Sequence, residues 1–233
     1  MVRQHLEHHR HPGLMMSAID LLSRARAFLL DFDGPIAALM PSPANELAAR
    51  EARRPLMGVD LPLEIESASD HLAVLRWARL NADDATSLAV EAACTEVEID
   101  AAGKCDPSPT GARLFELASE LDIPIAVVSN NSTLSVHVFL DRVGWLDQVD
   151  VLACRTPETV DLIKPSPHLL RIAADALRIP IEDTVFVGDS VSDVIASKAA
   201  GCPVLGLAKN ERRRMELVGG GADQVISLNA AAF

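Results

Sequence analysis

The chain has 233 residues, of which 49% are hydrophobic and only 3% are aromatic, and its formal net charge is −12. This length can bury one core domain with a modest insertion, and no apolar run approaches the roughly 18 residues that span a bilayer, so we expect no membrane partner. An acidic chain with few aromatic residues also lacks the cationic footprint and stacking platforms of a nucleic-acid-binding protein, which predicts a small ligand instead.

The N-terminal segment and the cysteines bear on the cellular compartment. Residues Met1–Leu14 are polar, contain four of the seven histidines and lack the apolar stretch of a secretory signal. We expect residues 1–24 to be a disordered leader, or the true start to be Met15 or Met16. The cysteines form no C-x-x-C pair, as expected of isolated thiols in a reducing cytoplasm; they are Cys94, Cys105, Cys154 and Cys202.

Short apolar runs alternate with stretches of helical period along the chain. Runs that end in polar residues predict buried strands at Ala27–Leu30, Ile123–Val128, Val149–Ala153 and Thr184–Val187. Helical stretches follow at Ser132–Val143, Pro167–Leu177 and Ser190–Ala200, with further short runs at Val204–Leu207 and Gln224–Ile226. The alternation predicts an α/β fold with a doubly wound parallel sheet, in which ligands bind outside the carboxyl ends of the strands.

One long segment interrupts this alternation. Roughly 90 residues separate the first strand from the next strand signal, and they contain helical patterns at Glu64–Leu80 and Asp83–Ile99. A structureless loop of that length is improbable in a compact domain, so we predict a helical domain over residues 36–107, inserted into a core of residues 25–35 and 108–233.

The first predicted strand ends in two carboxylates and a glycine, Asp31, Asp33 and Gly34. Asp31 at the strand end can attack phosphorus and ligate Mg²⁺, whereas Asp33 can reach a leaving oxygen as a general acid. Gly34 lets the chain turn sharply after the two acids, and the turn leaves them free to take different roles. Taken alone, this D-x-D-G pattern also fits a solvated turn or a calcium loop.

The next two polar motifs offer groups that bind phosphate. Ser129 and Asn130 follow the second strand, where a hydroxyl and backbone amides can hold phosphoryl oxygens, although either residue alone fits an ordinary helix N-cap. Lys164 directly precedes Pro165, which disfavours helix there, and its ammonium can neutralise both nucleophile and phosphoryl charge. By itself this lysine also fits a solvated surface position.

The fourth strand ends in a second pair of acids, Asp189 and Asp193, four residues apart. Mg²⁺ prefers oxygen ligands and needs only one or two carboxylates plus a phosphate. The alternative is that Asp189 caps the helix Ser190–Ala200 while Asp193 is a favourable charge in its first turn. Helix capping does not explain why the four strands are followed, in chain order, by a pair of acids, a hydroxyl, a lysine and a second pair of acids.

This ordered set resembles the motifs of the haloacid dehalogenase-like (HAD) hydrolase superfamily, closest to its phosphoglycolate phosphatase-like members. The resemblance covers Ala27–Gly34 and then about Pro109–Ile226. It implies a Rossmann-like core, with Asp31 as the phosphorylated nucleophile and Asp33 as the acid/base whose carbonyl also ligates Mg²⁺. It implies Asp189 as a direct metal ligand and Asp193 as an acid that orients that ligand or a metal-bound water.

The same resemblance implies phosphate binding by Ser129, Asn130 and Lys164 and a small helical cap in place of the insertion. Pro35 departs from the Thr or Val common in the family and removes a backbone N–H near the site. The cap residues Arg76 and Arg79 could meet substrate charge, although a solvated helix face is the simpler interpretation.

The predicted function is Mg²⁺-dependent hydrolysis of a small phosphorylated metabolite through an aspartyl-phosphate. A dehalogenase is disfavoured, because displacement at a carbon–halogen bond does not need Asp33 to protonate an alkoxide. A phosphomutase of the same superfamily and a regulatory binding protein without turnover stay open as alternatives. The sequence makes no prediction about the oligomeric state.

Overall fold

A computed structural model describes residues 17–228 of the chain. All six of the strands in this part pair in parallel within one sheet. In chain order they are β1 Ala27–Leu30, β2 Ile125–Ser132, β3 Val151–Arg155, β4 Thr184–Gly188, β5 Val204–Ala208 and β6 Gln224–Ser227. Their order across the sheet is β3-β2-β1-β4-β5-β6, which places β1 and its carboxyl end at the centre.

Helices connect these strands and cover the sheet. They are α1 Ala18–Ser23, α2 Ala44–Arg53, α3 Leu63–Glu66, α4 His71–Asn81, α5 Asp84–Ala102, α6 Pro109–Leu121, α7 Thr133–Val143, α8 His168–Leu177, α9 Val191–Ala200 and α10 Glu211–Gly219. Short 3₁₀ turns lie at Arg54–Leu56, Leu146–Gln148, Pro157–Leu162 and Ile181–Asp183. No helix among the described residues is long and apolar enough to cross a bilayer.

Each face of the sheet has its own apolar core, because successive strand residues point to opposite faces. Phe28 and Leu30 of β1 pack on one face with Phe139 of α7. Leu29, between them, packs on the other face with Leu170 of α8 and Phe186 of β4. This burial on both sides explains why the strands are continuous apolar runs, and it confirms the predicted doubly wound α/β class.

Helices α2–α5, here called the insertion, lie between β1 and α6 and have a third apolar cluster, which includes Val74, Leu75 and Val90. The chain enters and leaves the insertion at adjacent points, since Ala37 and Pro107 form an antiparallel bridge. The predicted helix at Glu64–Leu80 is two helices, because Asp70 caps the N-terminus of α4 through the Leu72 amide. The division of the chain into two domains stays a prediction.

The predicted leader differs from the structure where it can be compared. Residues 1–16 lie outside the described part, but residues 18–23 form α1, in which Leu21 and Leu22 are buried in the core. The prediction of disorder is wrong for this stretch. Ser17 and Asp20 form a capping box that starts the helix, so the polar residues are a cap rather than a sign of disorder.

Candidate active site

The carboxyl end of β1 presents Asp31 at the centre of the sheet. Its backbone amide donates to the carbonyl of Val187 in β4 at 2.9 Å, which continues the strand pairing up to the acid. The carboxylate is buried, and its Oδ1 accepts a hydrogen bond from the Phe32 amide at 2.8 Å. Burial, with the negative charge of Asp193 nearby, raises the pKa of Asp31. The central acid is therefore held rigidly in a poorly solvated place.

Lys164 is the cation of this site and lies between two acids. Its Nζ is 2.6 Å from Asp31 Oδ1 and 2.7 Å from Asp193 Oδ1, and it donates to the Val128 carbonyl at 3.1 Å. Only 2% of the lysine is exposed, and its ammonium lies 5.1 Å from the centre of the Phe186 ring. Burial alone would lower the pKa of Lys164, but the adjacent Asp193 and Asp31 hold it above its usual value. The lysine is thus charged and fixed.

Asp193 serves the framework of the site. Its Oδ2 accepts hydrogen bonds from the amides of Asp189 and Ser190 and from the Ser190 hydroxyl. Ser190 and Asp193 form the capping box of α9, so Asp189 is not the N-cap that the alternative interpretation required. Since both oxygens of Asp193 already contact N–H or O–H groups or Lys164, the side chain positions Asp189 and Lys164.

Asp31, Asp189 and Asp193 form the acidic cluster of the described residues that could hold a metal ion, with one carboxylate oxygen of each within 4.8 Å of the others. Burial, followed by the charges of Asp193 and Asp33, raises the pKa of Asp189 to about 7. Because Asp193 is occupied, Asp31 and Asp189 are the carboxylates left for a cation. Two hard oxygen donors beside the predicted phosphate-binding residues fit Mg²⁺.

Asp33 lies on the turn after β1, in surroundings different from those of Asp31. Its Oδ1 accepts a hydrogen bond from the Leu39 amide at 2.8 Å. Burial raises the pKa of Asp33, opposed by backbone hydrogen bonds from Leu39 and Met40. Pro35, the departure noted in the sequence, has its carbonyl bonded to the Ser108 hydroxyl, which joins the turn to the N-cap of α6.

Ser129 and Asn130 lie at the end of β2, where the pairing with β3 is irregular between Ser129 and Ser132. The N-cap of α7 is Ser132, so neither Ser129 nor Asn130 caps this helix. Ser129 is fully buried and its hydroxyl contacts Asn131. The Asn130 side chain accepts from the Lys164 amide at 2.8 Å and donates to its carbonyl at 3.0 Å. Its side chain therefore holds the lysine segment in place.

A cleft of about 280 Å³ opens over these strand ends. It brings together every residue that the sequence singled out for catalysis, phosphate or metal. The core contributes Asp31, Asp33, Ser129, Asn130, Asn131, Lys164, Asp189, Ser190, Ser192 and Asp193. The insertion and the segment before it contribute Met40, Asn45, Asp70, His71 and Leu72, none of which was predicted.

A family model for haloacid dehalogenase-like hydrolases matches residues 25–201, well over half of the chain. The chain belongs to this hydrolase family. The resemblance inferred from the motifs is thereby confirmed. Among characterised relatives, the phosphoglycolate phosphatase of Neisseria meningitidis is 36% identical over 101 residues, which are 43% of this chain and 42% of the relative. The match thus spans about two fifths of the length of that relative.

Solved structures of other proteins share the fold of this haloacid dehalogenase-like hydrolase. CbbY from Rhodobacter sphaeroides, in complex with phosphate, is 24% identical with a TM-score of 0.63. A mutant of CbbY in complex with xylulose-(1,5)bisphosphate has the same identity and a TM-score of 0.67. Both alignments cover 88% of this chain and 95% of the other chain. Likeness at this identity supports the architecture.

A buried ion pair in this haloacid dehalogenase-like hydrolase joins the insertion to the core behind the cleft. Arg155 at the end of β3 and Glu98 of α5 are both inaccessible to solvent, and their side chains meet at 2.8 and 3.1 Å. Glu98 also accepts from the Ser132 amide at 2.8 Å, and Arg155 donates to the Asn130 carbonyl at 2.8 Å. The pair therefore fixes the segment that carries Ser129 and Asn130. Arg155 lies beyond the predicted strand Val149–Ala153, so no sequence pattern indicated this pair.

The two arginines of α4 contact the core rather than the cleft. Arg76 donates to the Lys164 carbonyl at 3.1 Å, and Arg79 lies 3.0 Å from Asp161. Neither lines the cleft, so a direct role in binding substrate charge finds no support. A purely solvated helix face is not what the structure shows either, because Arg76 holds the backbone carbonyl of Lys164.

Proposed function

We propose that this protein hydrolyses the phosphate monoester of a small metabolite in a Mg²⁺-dependent reaction with an aspartyl-phosphate intermediate. The observation that carries the proposal is the contact of Lys164 with Asp31 at 2.6 Å, beside Asp189 and beneath a cleft. Membership in the hydrolase family supports it, as do relatives named phosphoglycolate phosphatase and the phosphate complex of CbbY.

The first half-reaction forms a bond between Asp31 and phosphorus. Lys164 and the Phe32 amide contact Oδ1 of Asp31, so Oδ2 is the oxygen expected to attack. The phosphorus–oxygen bond to the alcohol breaks, and Asp33 in its protonated form transfers its proton to the departing oxygen. Burial raises the pKa of Asp33, which favours that protonated form.

The second half-reaction releases phosphate. Asp33, now a carboxylate, accepts a proton from a water molecule whose oxygen attacks phosphorus, and the bond to Asp31 breaks. The proton returns Asp33 to its starting state, and the carboxylate of Asp31 is regenerated. Atoms and charge therefore balance over the cycle without a further reactant.

In both half-reactions the phosphoryl oxygens need positive charge and hydrogen-bond donors around them. Lys164 supplies charge, while the Ser129 hydroxyl and the backbone amides of Asn130 and Asn131 are the proposed donors at the end of β2. Mg²⁺, when bound by Asp31, Asp189 and the carbonyl of Asp33, would neutralise further charge on the same oxygens. The carboxylate cluster supports this donor set.

We further propose that the enzyme works in the cytoplasm on a small phosphorylated metabolite. The four cysteines are free thiols, three of them buried, which supports a reducing compartment. A cleft of about 280 Å³ suits a ligand of few heavy atoms.

The direct test is release of phosphate from para-nitrophenyl phosphate with Mg²⁺ and after removal of the metal with a chelator. We expect Mg²⁺-dependent release without any acceptor sugar, and its loss in Asp31→Asn. Asp147→Asn, an exposed acid in the 3₁₀ turn after α7, is the matched control and should retain activity. Release only in the presence of an acceptor would indicate a phosphomutase, and phosphate binding without turnover would indicate a regulatory protein.

A further inference from the structure

His71 lies at the start of α4 and lines the cleft from the side of the insertion. Only 4% of the residue is exposed. Its Nε2 is 2.9 Å from Glu98 Oε1, whereas its Nδ1 is buried without a hydrogen-bond partner among the described residues. The nearest acid to Nδ1, Asp70 Oδ1, is 3.9 Å away, which is too far for a hydrogen bond. A buried polar atom without a partner in a ligand cleft indicates a missing ligand group.

The contacts of Glu98 decide which nitrogen of His71 carries the proton. Burial alone would raise the pKa of Glu98, but Arg155 and His71 hold it at about 2, so the carboxylate is ionised. An ionised carboxylate can only accept, which places a proton on Nε2. The charge of Glu98 is balanced by Arg155, so Nδ1 is the ring nitrogen left open to a ligand. A hydroxyl group can pair with this atom, because a hydroxyl both donates and accepts hydrogen bonds.

The charges around the cleft restrict the leaving group further. Among the described residues that line the cleft, Lys164 is the only lysine, and no arginine is present. Asp31 and Asp193 already neutralise the charge of Lys164. On the side of the insertion the ionisable side chains that line the cleft are His71 and Asp70. A carboxylate or second phosphate at Nδ1 would lie close to Asp70, whose Oδ1 is 3.9 Å from that nitrogen. An uncharged leaving group with hydroxyls fits both the open nitrogen and these acidic surroundings.

We propose that His71 determines substrate specificity through a hydrogen bond between its Nδ1 and a hydroxyl of the leaving group, and that the substrate is the monophosphate of an uncharged polyol or sugar. This inference rests on the phosphatase function proposed for the same site. Glu98 and Arg155 act through His71 as positioning residues. A site built around this buried nitrogen discriminates against compounds that lack the hydroxyl, because the nitrogen then stays unpaired.

The test measures binding in the Asp31→Asn background, where turnover is blocked. Calorimetric titrations in Mg²⁺ buffer would compare ribose 5-phosphate, xylulose 5-phosphate and glucose 6-phosphate with phosphoglycolate and inorganic phosphate. Adding His71→Gln keeps a donor for Glu98 but removes the nitrogen at the position of Nδ1. We expect the affinity for the best sugar phosphate to fall about tenfold relative to that for inorganic phosphate. Adding the exposed His137→Gln should leave this ratio unchanged.

Several results would overturn the assignment of His71. An equal loss of affinity for sugar phosphate and inorganic phosphate would reduce the histidine to a support of the phosphate site. Tighter binding of phosphoglycolate than of every sugar phosphate, or no gain from any sugar over inorganic phosphate, would also contradict it. Failure of the His71 assignment can be told apart from failure of the proposed phosphatase function. The proposed function fails if the native protein shows no Mg²⁺-dependent turnover, whereas the assignment is tested by the affinity ratio, which is measured without turnover.

Discussion

Asp31 and Asp33 are two positions apart in the chain, yet their surroundings suit different chemistry. Asp31 contacts a buried lysine, which stabilises a carboxylate ready for attack. Asp33 lies on a partly buried turn and accepts backbone hydrogen bonds there. None of the ion pairs of the described residues joins Asp33 to Lys164. Burial raises the pKa of both carboxyl groups, so the contact with the Lys164 ammonium is what distinguishes the proposed nucleophile from the proposed general acid.

Replacing the proposed general acid tests this division of roles. Asp33→Asn keeps the size of the side chain but cannot transfer a proton, so we expect kcat to fall by ~10²–10⁴, equivalent to roughly 3–5 kcal/mol in the barrier. Steady-state hydrolysis of a phosphate ester with a poor leaving group, at saturating Mg²⁺, would measure it. An aryl phosphate should be less affected, because its leaving group needs less protonation. Unimpaired turnover of the poor leaving group would exclude the role.

Gly34 is required by the close approach of Asp189, the proposed metal ligand. Its φ of +109° is rarely adopted by residues with a side chain, and a Cβ there would lie 2.7 Å from Cγ of Asp189. We expect Gly34→Ala to displace the Asp189 carboxylate and weaken Mg²⁺ binding at least tenfold by calorimetric titration.

Gly201→Ala is the matched control for this substitution. Gly201 also has a positive φ, +81°, but nothing lies within 4 Å of the position of its Cβ. Each substitution should cost about 1 kcal/mol of stability or more, because alanine is strained at positive φ. Only the change at Gly34 should alter metal affinity, and equal Mg²⁺ affinity in the two variants would show that the contact with Asp189 is irrelevant.

At the scale of secondary-structure elements, the contact between α5 and β3 depends on the buried pair of Glu98 and Arg155. The folded-state pKa of Glu98 is lowered from 4.5 to about 2, so its ionised form stabilises the fold above the unfolded value. That contribution is about 3 kcal/mol at pH 7 and is lost as the pH falls from about 4.5 to about 2. Breaking such a pair is costly, since the buried Arg155 then keeps only the longer contact with Glu91, at 3.4 Å, as an ion pair among the described residues.

We therefore expect Glu98→Gln to be about 3 kcal/mol less stable than the native protein at pH 7, with the difference shrinking as the pH falls below 4.5. Urea denaturation at pH 7, 4.5 and 3 would measure the free energy of unfolding of both proteins. Glu182→Gln, at an exposed acid, should stay within about 0.5 kcal/mol of the native value at each pH. A difference that is independent of pH would mean that Glu98 contributes packing or neutral hydrogen bonds rather than charge.

The sheet was predictable from sequence because its strands are buried on both faces and read as unbroken apolar runs. The site residues at the ends of β1, β2 and β4 were predictable once the strands were identified, because a parallel sheet brings the carboxyl ends of its strands to one edge. His71 and Glu98 were not predictable, because their importance arises from contacts across long separations in sequence. A histidine after Asp70 reads as an ordinary helix start, and only the folded chain brings it to the cleft with Glu98 and Arg155.

At the scale of the whole molecule, the acidic net charge bears on the proposed metal site. The chain carries a formal charge of −12, and at its centre Asp31, Asp189 and Asp193 crowd around one lysine. Bringing these acids together costs free energy that a divalent cation would offset. Folding without Mg²⁺ is thus expected to be less favourable than folding with it.

We expect Mg²⁺ to stabilise the native protein against heat. A ligand that binds only the folded state at 100 times its Kd contributes about 2.7 kcal/mol, which for a chain of this size raises Tm by roughly 5–10 °C. Thermal unfolding followed by circular dichroism, with Mg²⁺ and with a chelator, would measure the shift. Asp189→Asn should lose most of it, whereas Asp147→Asn should keep it. An equal rise in both variants would instead indicate nonspecific screening of the acidic surface, because screening depends on ionic strength and not on one carboxylate.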